Sequence, residues 1–213
     1  TAFCYLSLAK TLDENIGVYG LQSMGLNVNE EACTSVEDMA AHYLPLIEHL
    51  MDQPMVITGL SFGGLVAHEM GRLLSARGKQ DISVVLLDTQ GTHDVEARRM
   101  IDVVDLPEFR DKLVRFNGTY PGIDDAQIER YFNVYNQNRL AVRDYEVPVS
   151  GARMAFIQAR SDLPRPFLHE TRAYWRSRTD GEFSVKLVRG DHWEMLESDE
   201  LKIVKNVMLK ELD

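Results

Sequence analysis

The sequence predicts an α/β fold with a mostly parallel central sheet flanked by helices, in one domain over residues 1–213. Short apolar runs typical of buried parallel strands alternate with segments of helical spacing. A glycine-bounded serine, Gly59-Leu60-Ser61-Phe62-Gly63, joins one such run to a helical pattern. With 213 residues and 45% apolar content, the chain is long enough to bury one substantial core.

The N-terminal quarter carries two helical patterns and one apolar run between them. Residues Tyr5 to Leu12 have helical spacing, and Ile16 to Gly20 predicts a short buried strand. A second helix is expected from Val36 to Leu50, with Ser35 as its N-cap. Pro45 lies inside that pattern and predicts a kink, because proline lacks the N–H that a helix interior requires.

Four further apolar runs predict the main strands of the sheet. They are Met55 to Thr58, Ile82 to Leu87, Met154 to Gln158 and Phe183 to Val188. A closing helix is predicted from Ser198 to Leu212, with its apolar residues at helical spacing. Because strands and helices alternate along the chain, these strands are expected to pair in parallel.

The serine between Gly59 and Gly63 has the spacing of a nucleophile elbow, which is a sharp turn between a strand and a helix. A serine hydroxyl attacks well only when it stands clear of the backbone and within reach of a base. The two glycines let the strand and the helix pass closely around a strained serine. Ser61 is therefore the predicted nucleophile, and the backbone N–H of Phe62 is the predicted oxyanion donor.

Residues from about 92 to 148 interrupt the alternation with charged helical segments. An insertion after one sheet strand and before the next lies over the carboxyl edge of a parallel sheet, where sites of α/β proteins form. We expect a helical lid there, the alternative being ordinary helices that cover the core. The side chains of Phe116, Tyr131 and Tyr135 are expected to shape the substrate pocket or, alternatively, the core of the lid.

A serine nucleophile needs a base, and His192 is the predicted one among six histidines. It lies on a loop directly after the last predicted strand, and the chain order serine, acid, histidine is that of the α/β-hydrolases. His93 follows the strand that ends at Leu87 and is the second candidate. The other four are expected to be solvated surface residues: His42, His49, His68 and His169.

Two carboxylates have a position suited to orienting the histidine ring. Asp88 ends the strand after the elbow, and Asp162 follows the next strand. Asp191 is adjacent to His192, which is a poor geometry for a hydrogen bond to that ring. From position alone, Asp88 and Asp162 are equal candidates for the acid.

Charge and cysteine content exclude several classes of function. The formal net charge of −10 argues against nucleic acid or an anionic membrane as a partner. Two cysteines are too few for a disulfide framework, and the sequence shows neither a secretory signal nor a run long enough to span a membrane. A reduced, cytoplasmic setting is expected, and chemistry by serine, histidine and carboxylate requires no metal or redox cofactor.

Several stretches together resemble the thioesterase domains that end non-ribosomal peptide and polyketide synthases, which have the α/β-hydrolase fold. Apart from the insertion, the resemblance covers most of the chain, and the stretches occur in family order. They are Tyr5 to Leu12, Val18 to Ser23 with Gly25-Leu26, the elbow with Gly64 to Met70, Leu86-Leu87-Asp88, and Gly190-Asp191-His192-Trp193-Glu194-Met195-Leu196.

The resemblance implies Asp88 as the acid, with Asp162 as the position used more often by stand-alone relatives. It also implies a substrate: an acyl or peptidyl chain on the phosphopantetheine arm of an upstream carrier domain, released by hydrolysis or macrocyclisation. In such domains a first strand and a glycine-containing loop supply the second oxyanion donor. Both are expected to precede Thr1 and to be missing from this sequence.

Two other functions remain open at this point. A stand-alone editing thioesterase or a carboxylesterase would have the same fold and the same catalytic residues. A non-catalytic binding module of the hydrolase fold is the alternative from another class, and the presence of Ser61, Asp88 and His192 together argues against it.

Overall fold

The computed structural model describes residues 1–115, 122–160, 164–197 and 199–212. Within these ranges four strands form one sheet, lie side by side in chain order and pair in parallel throughout. The strands are β1 (Met55–Leu60), β2 (Ile82–Leu87), β3 (Arg153–Ala159) and β4 (Phe183–Val188). The sequence predicted strands at all four places, and the predicted parallel sheet is confirmed.

The helices of the described residues lie between and around these strands. The α-helices are α1 (Leu6–Thr11), α2 (Val36–Tyr43), α3 (Phe62–Ala76), α4 (Val95–Arg99), α5 (Leu106–Arg115), α6 (Asp125–Asp144), α7 (Arg165–Arg176) and α8 (Leu201–Leu212). Short 3-10 helices occur at Ala2–Tyr5, Leu44–Leu50 and Glu194–Leu196. None of the described helices is long and apolar enough to cross a lipid bilayer.

Alternate side chains of the central strands point to opposite faces of the sheet, and each face buries its own core. Val84 and Leu86 of β2 pack with α2, α3 and the end of α7 on one face. Val85 and Leu87 pack with α1 and α8 on the other face. Helices on both sides explain why all six residues of β2 are buried, as expected for a central parallel strand.

The helix predicted from Val36 to Leu50 forms as two pieces. Ser35 caps the first piece, because its Oγ accepts a hydrogen bond of 3.0 Å from the N–H of Asp38. The α-helical part ends at Tyr43, and a 3-10 helix with Pro45 in its first turn continues to Leu50. The proline therefore changes the type of helix at the place where a kink was predicted.

The strand predicted at 16–20 does not form, and this prediction was wrong. These residues run as a loop without strand pairing. The side chains of Val18 and Tyr19 are 49% and 60% exposed, so the apolar run is not buried in the described structure. A short apolar run between two glycines is not sufficient evidence for a strand when nothing pairs with it.

The insertion at 92–148 contains α4, α5 and α6, as the charged helical pattern predicted. The insertion has a small apolar cluster of its own, formed by Val104, Phe109, Leu113 and Ile128. The C-terminal part of α6 leaves this cluster and packs on the main core through Ala141. The insertion is thus anchored to the α/β body at its exit.

Candidate active site

Ser61 lies in the turn between β1 and α3, in a conformation that residues other than glycine rarely adopt. Its φ is 54° and its ψ is −123°. Its N–H donates to the carbonyl of Leu87 at 2.9 Å, and its own carbonyl accepts from the N–H of Gly64 at 3.0 Å. A Cβ on Gly59 would overlap the backbone of Gly63, so this sharp turn requires glycine there.

Phe62 is the first residue of α3, directly after Ser61. The first N–H groups of a helix have no acceptor within the helix, and the helix dipole places partial positive charge at this end. The backbone N–H of Phe62 is therefore suited to stabilise a negative oxygen that forms beside the serine.

Asp88 follows the last residue of β2, at the same edge of the sheet as Ser61. It too has a positive φ, 44°. Its N–H donates to the carbonyl of Ile157 at 2.7 Å, and its Oδ1 accepts from the N–H of Ala159 at 3.0 Å. Two hydrogen bonds to the neighbouring strand thus fix both the backbone and the side chain of this buried aspartate.

His192 lies on the loop after β4, and its Nδ1 is 2.7 Å from the second carboxylate oxygen of Asp88, Oδ2. A carboxylate accepts here, so Nδ1 carries the hydrogen and Nε2 is free to act as a base. Asp191 does not compete, because its Oδ1 accepts from the N–H groups of Trp193 and Glu194 at 2.7 and 2.9 Å. It shapes the loop that carries the histidine.

An open cavity of about 320 Å³ brings these residues together, and most of the exposed surface inside it is apolar. Its lining includes all three residues predicted from the sequence as nucleophile, acid and base. The lining residues are Ser61, Asp88, Gln90, Ala159, Phe167, His192 and Trp193. Such an arrangement can activate a hydroxyl for attack on an acyl group.

The remaining predicted site residues lie elsewhere or outside the described residues. Asp162 and Phe116 belong to the ranges that the structure does not describe. Tyr131 and Tyr135 pack against the insertion's apolar cluster, with the ring of Tyr135 5.4 Å from that of Phe109. Neither tyrosine lines the described cavity. Their placement matches the alternative expectation, that they pack in the core of the insertion.

Four cavity residues were not predicted from the sequence: Gln90, Ala159, Phe167 and Trp193. Gln90 and Trp193 are close in sequence to Asp88 and His192, so proximity was an available signal. Phe167 lies in the first turn of α7, which follows β3 at the carboxyl edge. A side chain just after a strand end at this edge is a candidate for a binding residue.

The prediction that His68 is a solvated surface residue was wrong. It is fully buried on α3, its ring lies 5.6 Å from the ring of Trp175, and its Nε2 is 3.2 Å from the carbonyl of Arg178. Burial lowers the pKa of the ring to about 4. The helix is covered on several sides, since every residue from Gly64 to Gly71 is buried, and an amphipathic pattern does not reveal this.

Comparison with known proteins identifies the family of this chain. A family model described as a thioesterase domain matches residues 1–210. The chain belongs to the thioesterase domain family. Members of this family are hydrolases, and they need no cofactor. Among the described residues, no group of three or more histidine, cysteine or carboxylate side chains is arranged to hold a metal ion.

Relatives of this thioesterase domain occur in large synthases and as shorter proteins. It is 29% identical to malpibaldin synthetase of Mortierella alpina over 98% of this chain, but spans only 4% of that protein. It is 28% identical to the thioesterase frbE of Dothideomycetidae sp. (strain 11243), covering 97% of this chain and 76% of that protein. The crystal structure of a four-domain nonribosomal peptide synthetase bound to AMP and glycine contains the same fold, with a TM-score of 0.79. The match is 20% identical in sequence and covers 99% of this chain and 18% of the synthetase chain.

Proposed function

We propose that this thioesterase domain releases an acyl or peptidyl chain from the phosphopantetheine arm of a carrier domain through an acyl-enzyme on Ser61. The observation that carries the proposal is the hydrogen bond of 2.7 Å between His192 Nδ1 and Asp88 Oδ2, at a cavity that Ser61 also lines. Membership of the thioesterase domain family and the synthase relatives support the choice of substrate.

In the first half of the proposed reaction, His192 Nε2 removes the hydroxyl proton of Ser61 while the serine oxygen attacks the thioester carbonyl. The N–H of Phe62 stabilises the negative oxygen of the tetrahedral intermediate. The carbon–sulfur bond then breaks, and His192 returns the proton to the departing thiolate of the arm. Asp88 holds the ring in the tautomer with hydrogen on Nδ1 and stabilises the imidazolium.

In the second half, a nucleophile attacks the ester that links the acyl group to Ser61. His192 removes a proton from water, or from an amine or hydroxyl of the same acyl chain, and returns it to the serine oxygen. Water gives a free acid, and an internal nucleophile gives a macrocycle. Both outcomes use the same residues.

The surroundings of Ser61 favour an uncharged acyl group next to the reacting carbonyl. Phe167, Ala159 and Trp193 supply apolar surface to the cavity, and its only ionisable side chains among the described residues are those of Asp88 and His192. A charged group there would lose hydration without gaining a partner among the described lining residues. The insertion at 92–148 acts as a lid over the longer part of the substrate.

A stand-alone editing thioesterase is the second candidate, favoured by the similarity to frbE over most of both proteins. The two functions differ in gene context, because a release domain directly follows a carrier domain in the same polypeptide. A carboxylesterase would prefer oxygen esters over thioesters in a direct kinetic comparison.

The test of the proposed function is a Ser61→Ala variant assayed with octanoyl-N-acetylcysteamine, a thioester with a truncated arm. Turnover should fall by a factor on the order of 10⁴ or more, and a fluorophosphonate probe should no longer label the protein. Ser7→Ala, at an exposed serine of α1, is the control and should keep both the turnover and the labelling by the probe. Turnover by Ser61→Ala near the wild-type rate would refute the nucleophile assignment.

A further inference from the structure

A buried residue that does not line the described cavity contacts the turn that carries Asp88. Trp175 is in the last turns of α7, fully buried, and its indole N–H donates to the carbonyl of Thr89 at 2.7 Å. Thr89 is the residue directly after Asp88. Trp175 does not line the described cavity, so any influence on the reaction is indirect, and this turn is a direct route to Asp88.

The turn after β2 is held from two sides. On one side, the side chain of Thr89 lies against Gly64 of α3 so closely that a Cβ at Gly64 would overlap it. On the other side, a Cβ at Gly91 would overlap the ring of Tyr174 and lie 3.2 Å from Nε1 of Trp175. The acid's turn is therefore packed between the elbow helix and α7.

Asp88 needs such support because its backbone conformation is strained. A positive φ of 44° is disfavoured in a residue other than glycine and persists only where neighbouring structure enforces it. Within the strand, the N–H of Asp88 is held by Ile157. Beyond the strand end, the indole of Trp175 holds the next carbonyl of the chain.

From these contacts we propose that Trp175 is a positioning residue for Asp88: its indole N–H fixes the turn that aims the Asp88 carboxylate at His192. The inference rests on the proposed function, in which Asp88 orients the catalytic histidine. As a consequence, both ends of α7 contribute to the site. Phe167 near its start lines the cavity, and Trp175 near its end binds the turn that carries Asp88.

A double-mutant cycle tests this inference, with octanoyl-N-acetylcysteamine as the substrate. Trp175→Phe removes the N–H donor and keeps an aromatic ring. In the wild-type background it should lower kcat about tenfold with KM within about twofold, because the lost interaction acts on the transition state. In an Asp88→Asn background the same substitution should change kcat by less than about twofold, because two residues that act through one group are not additive.

Two further variants keep the test decisive if Trp175→Phe folds poorly. Gly91→Ala leaves both aromatic rings in place but pushes the turn away from α7, and it should show the same loss of kcat and the same dependence on Asp88. Met208→Ala truncates a buried side chain of α8 and should lower stability without lowering kcat.

The outcomes separate this inference from the proposed function. Trp175→Phe and Gly91→Ala with unchanged kcat, or with equal losses in both backgrounds, would overturn the positioning role and leave Asp88 as the acid. An Asp88→Asn variant with wild-type turnover would instead remove Asp88 from the mechanism and with it the role of Trp175. Losses of kcat in Trp175→Phe and Gly91→Ala that disappear in the Asp88→Asn background would establish that α7 acts on the reaction through Asp88.

Discussion

The carboxyl edge of the sheet and the helical insertion at 92–148 hold their side chains in different ways. At the sheet edge, Ser61 and Asp88 both have positive φ and both donate backbone hydrogen bonds to the neighbouring strand. In the insertion, Phe109 packs in a small apolar cluster, and the ion pair of Arg110 with Asp125 is largely exposed. Backbone geometry and backbone hydrogen bonds hold residues in place at the sheet edge, whereas side-chain packing holds them in the insertion.

The two regions therefore differ in how much change of sequence they tolerate. Strained backbone held by strand hydrogen bonds fixes Ser61 and Asp88 within a narrow range. An apolar cluster accepts many side chains of similar volume. The insertion can therefore vary in sequence without moving Ser61, Asp88 or His192.

The largest expected effect comes from matched truncations in the two regions. Phe109→Ala in the insertion and Met195→Ala beside the His192 loop each remove a buried side chain and should each lower the free energy of unfolding by about 3 kcal/mol. Only Met195→Ala should also lower kcat, by about tenfold, because it loosens the loop that carries His192, the proposed base. Urea unfolding and turnover of octanoyl-N-acetylcysteamine measure the two quantities.

Equal losses of kcat in these two variants would contradict the division between the regions. The insertion would then be part of the machinery that positions the reacting groups. A rise in KM for Phe109→Ala with longer acyl chains is compatible with the division, because the insertion is proposed to contact the distant part of the substrate.

The next effect concerns the pH dependence of stability at His68, on the elbow helix. Burial holds the pKa of this ring at about 4, against about 6.5 in the unfolded chain. Between these values the unfolded chain binds a proton that the folded protein excludes, so stability falls as pH drops from about 6.5 to about 4. When the pH is lowered from 7 to 4.5, the free energy of unfolding of the wild type should fall by about 2 kcal/mol more than that of His68→Gln.

Urea unfolding at the two pH values measures this difference. His169→Gln, at an exposed histidine of α7, is the control and should keep the wild-type pH dependence. If His68→Gln lost as much stability as the wild type over this range, the buried ring would not be the group that titrates.

The smallest expected effect is at the start of the elbow. The hydroxyl of Tyr5 accepts a hydrogen bond of 2.7 Å from the N–H of Leu60, the residue before the nucleophile. Burial raises the pKa of this phenol, so it stays neutral. Tyr5→Phe should lower the free energy of unfolding by about 1 kcal/mol, because it leaves that N–H without its partner.

Tyr19→Phe is the control for this variant, because the Tyr19 side chain is 60% exposed. It should leave the urea unfolding curve unchanged. Identical unfolding curves for Tyr5→Phe and wild type would show that the hydrogen bond to Leu60 contributes nothing to holding the elbow.

The sequence predicted those parts of the molecule that local rules control. The glycine spacing around Ser61 and the apolar runs that end before Ser61, Asp88 and the His192 loop reflect strand and turn geometry, which neighbouring residues determine. Parallel pairing then brings the strand ends to one edge, so the meeting of Asp88 and His192 in one cavity follows from the order of elements.

Features that depend on distant packing were not predictable from local patterns. The burial of His68 arises from Trp175 and the carbonyl of Arg178, both more than a hundred residues later in the chain. The run at 16–20 has the composition of a strand, but no described strand pairs with it. Phe167 enters the cavity because of where α7 begins, which no motif specifies.

The most direct measurement of the central claim is peptide mapping by mass spectrometry after brief mixing with octanoyl-N-acetylcysteamine. We expect an octanoyl group on the peptide that contains Ser61, its decay as product forms, and its absence in Ser61→Ala. Turnover without an acylated Ser61, or an octanoyl group on another nucleophile such as the exposed thiol of Cys4, would contradict it.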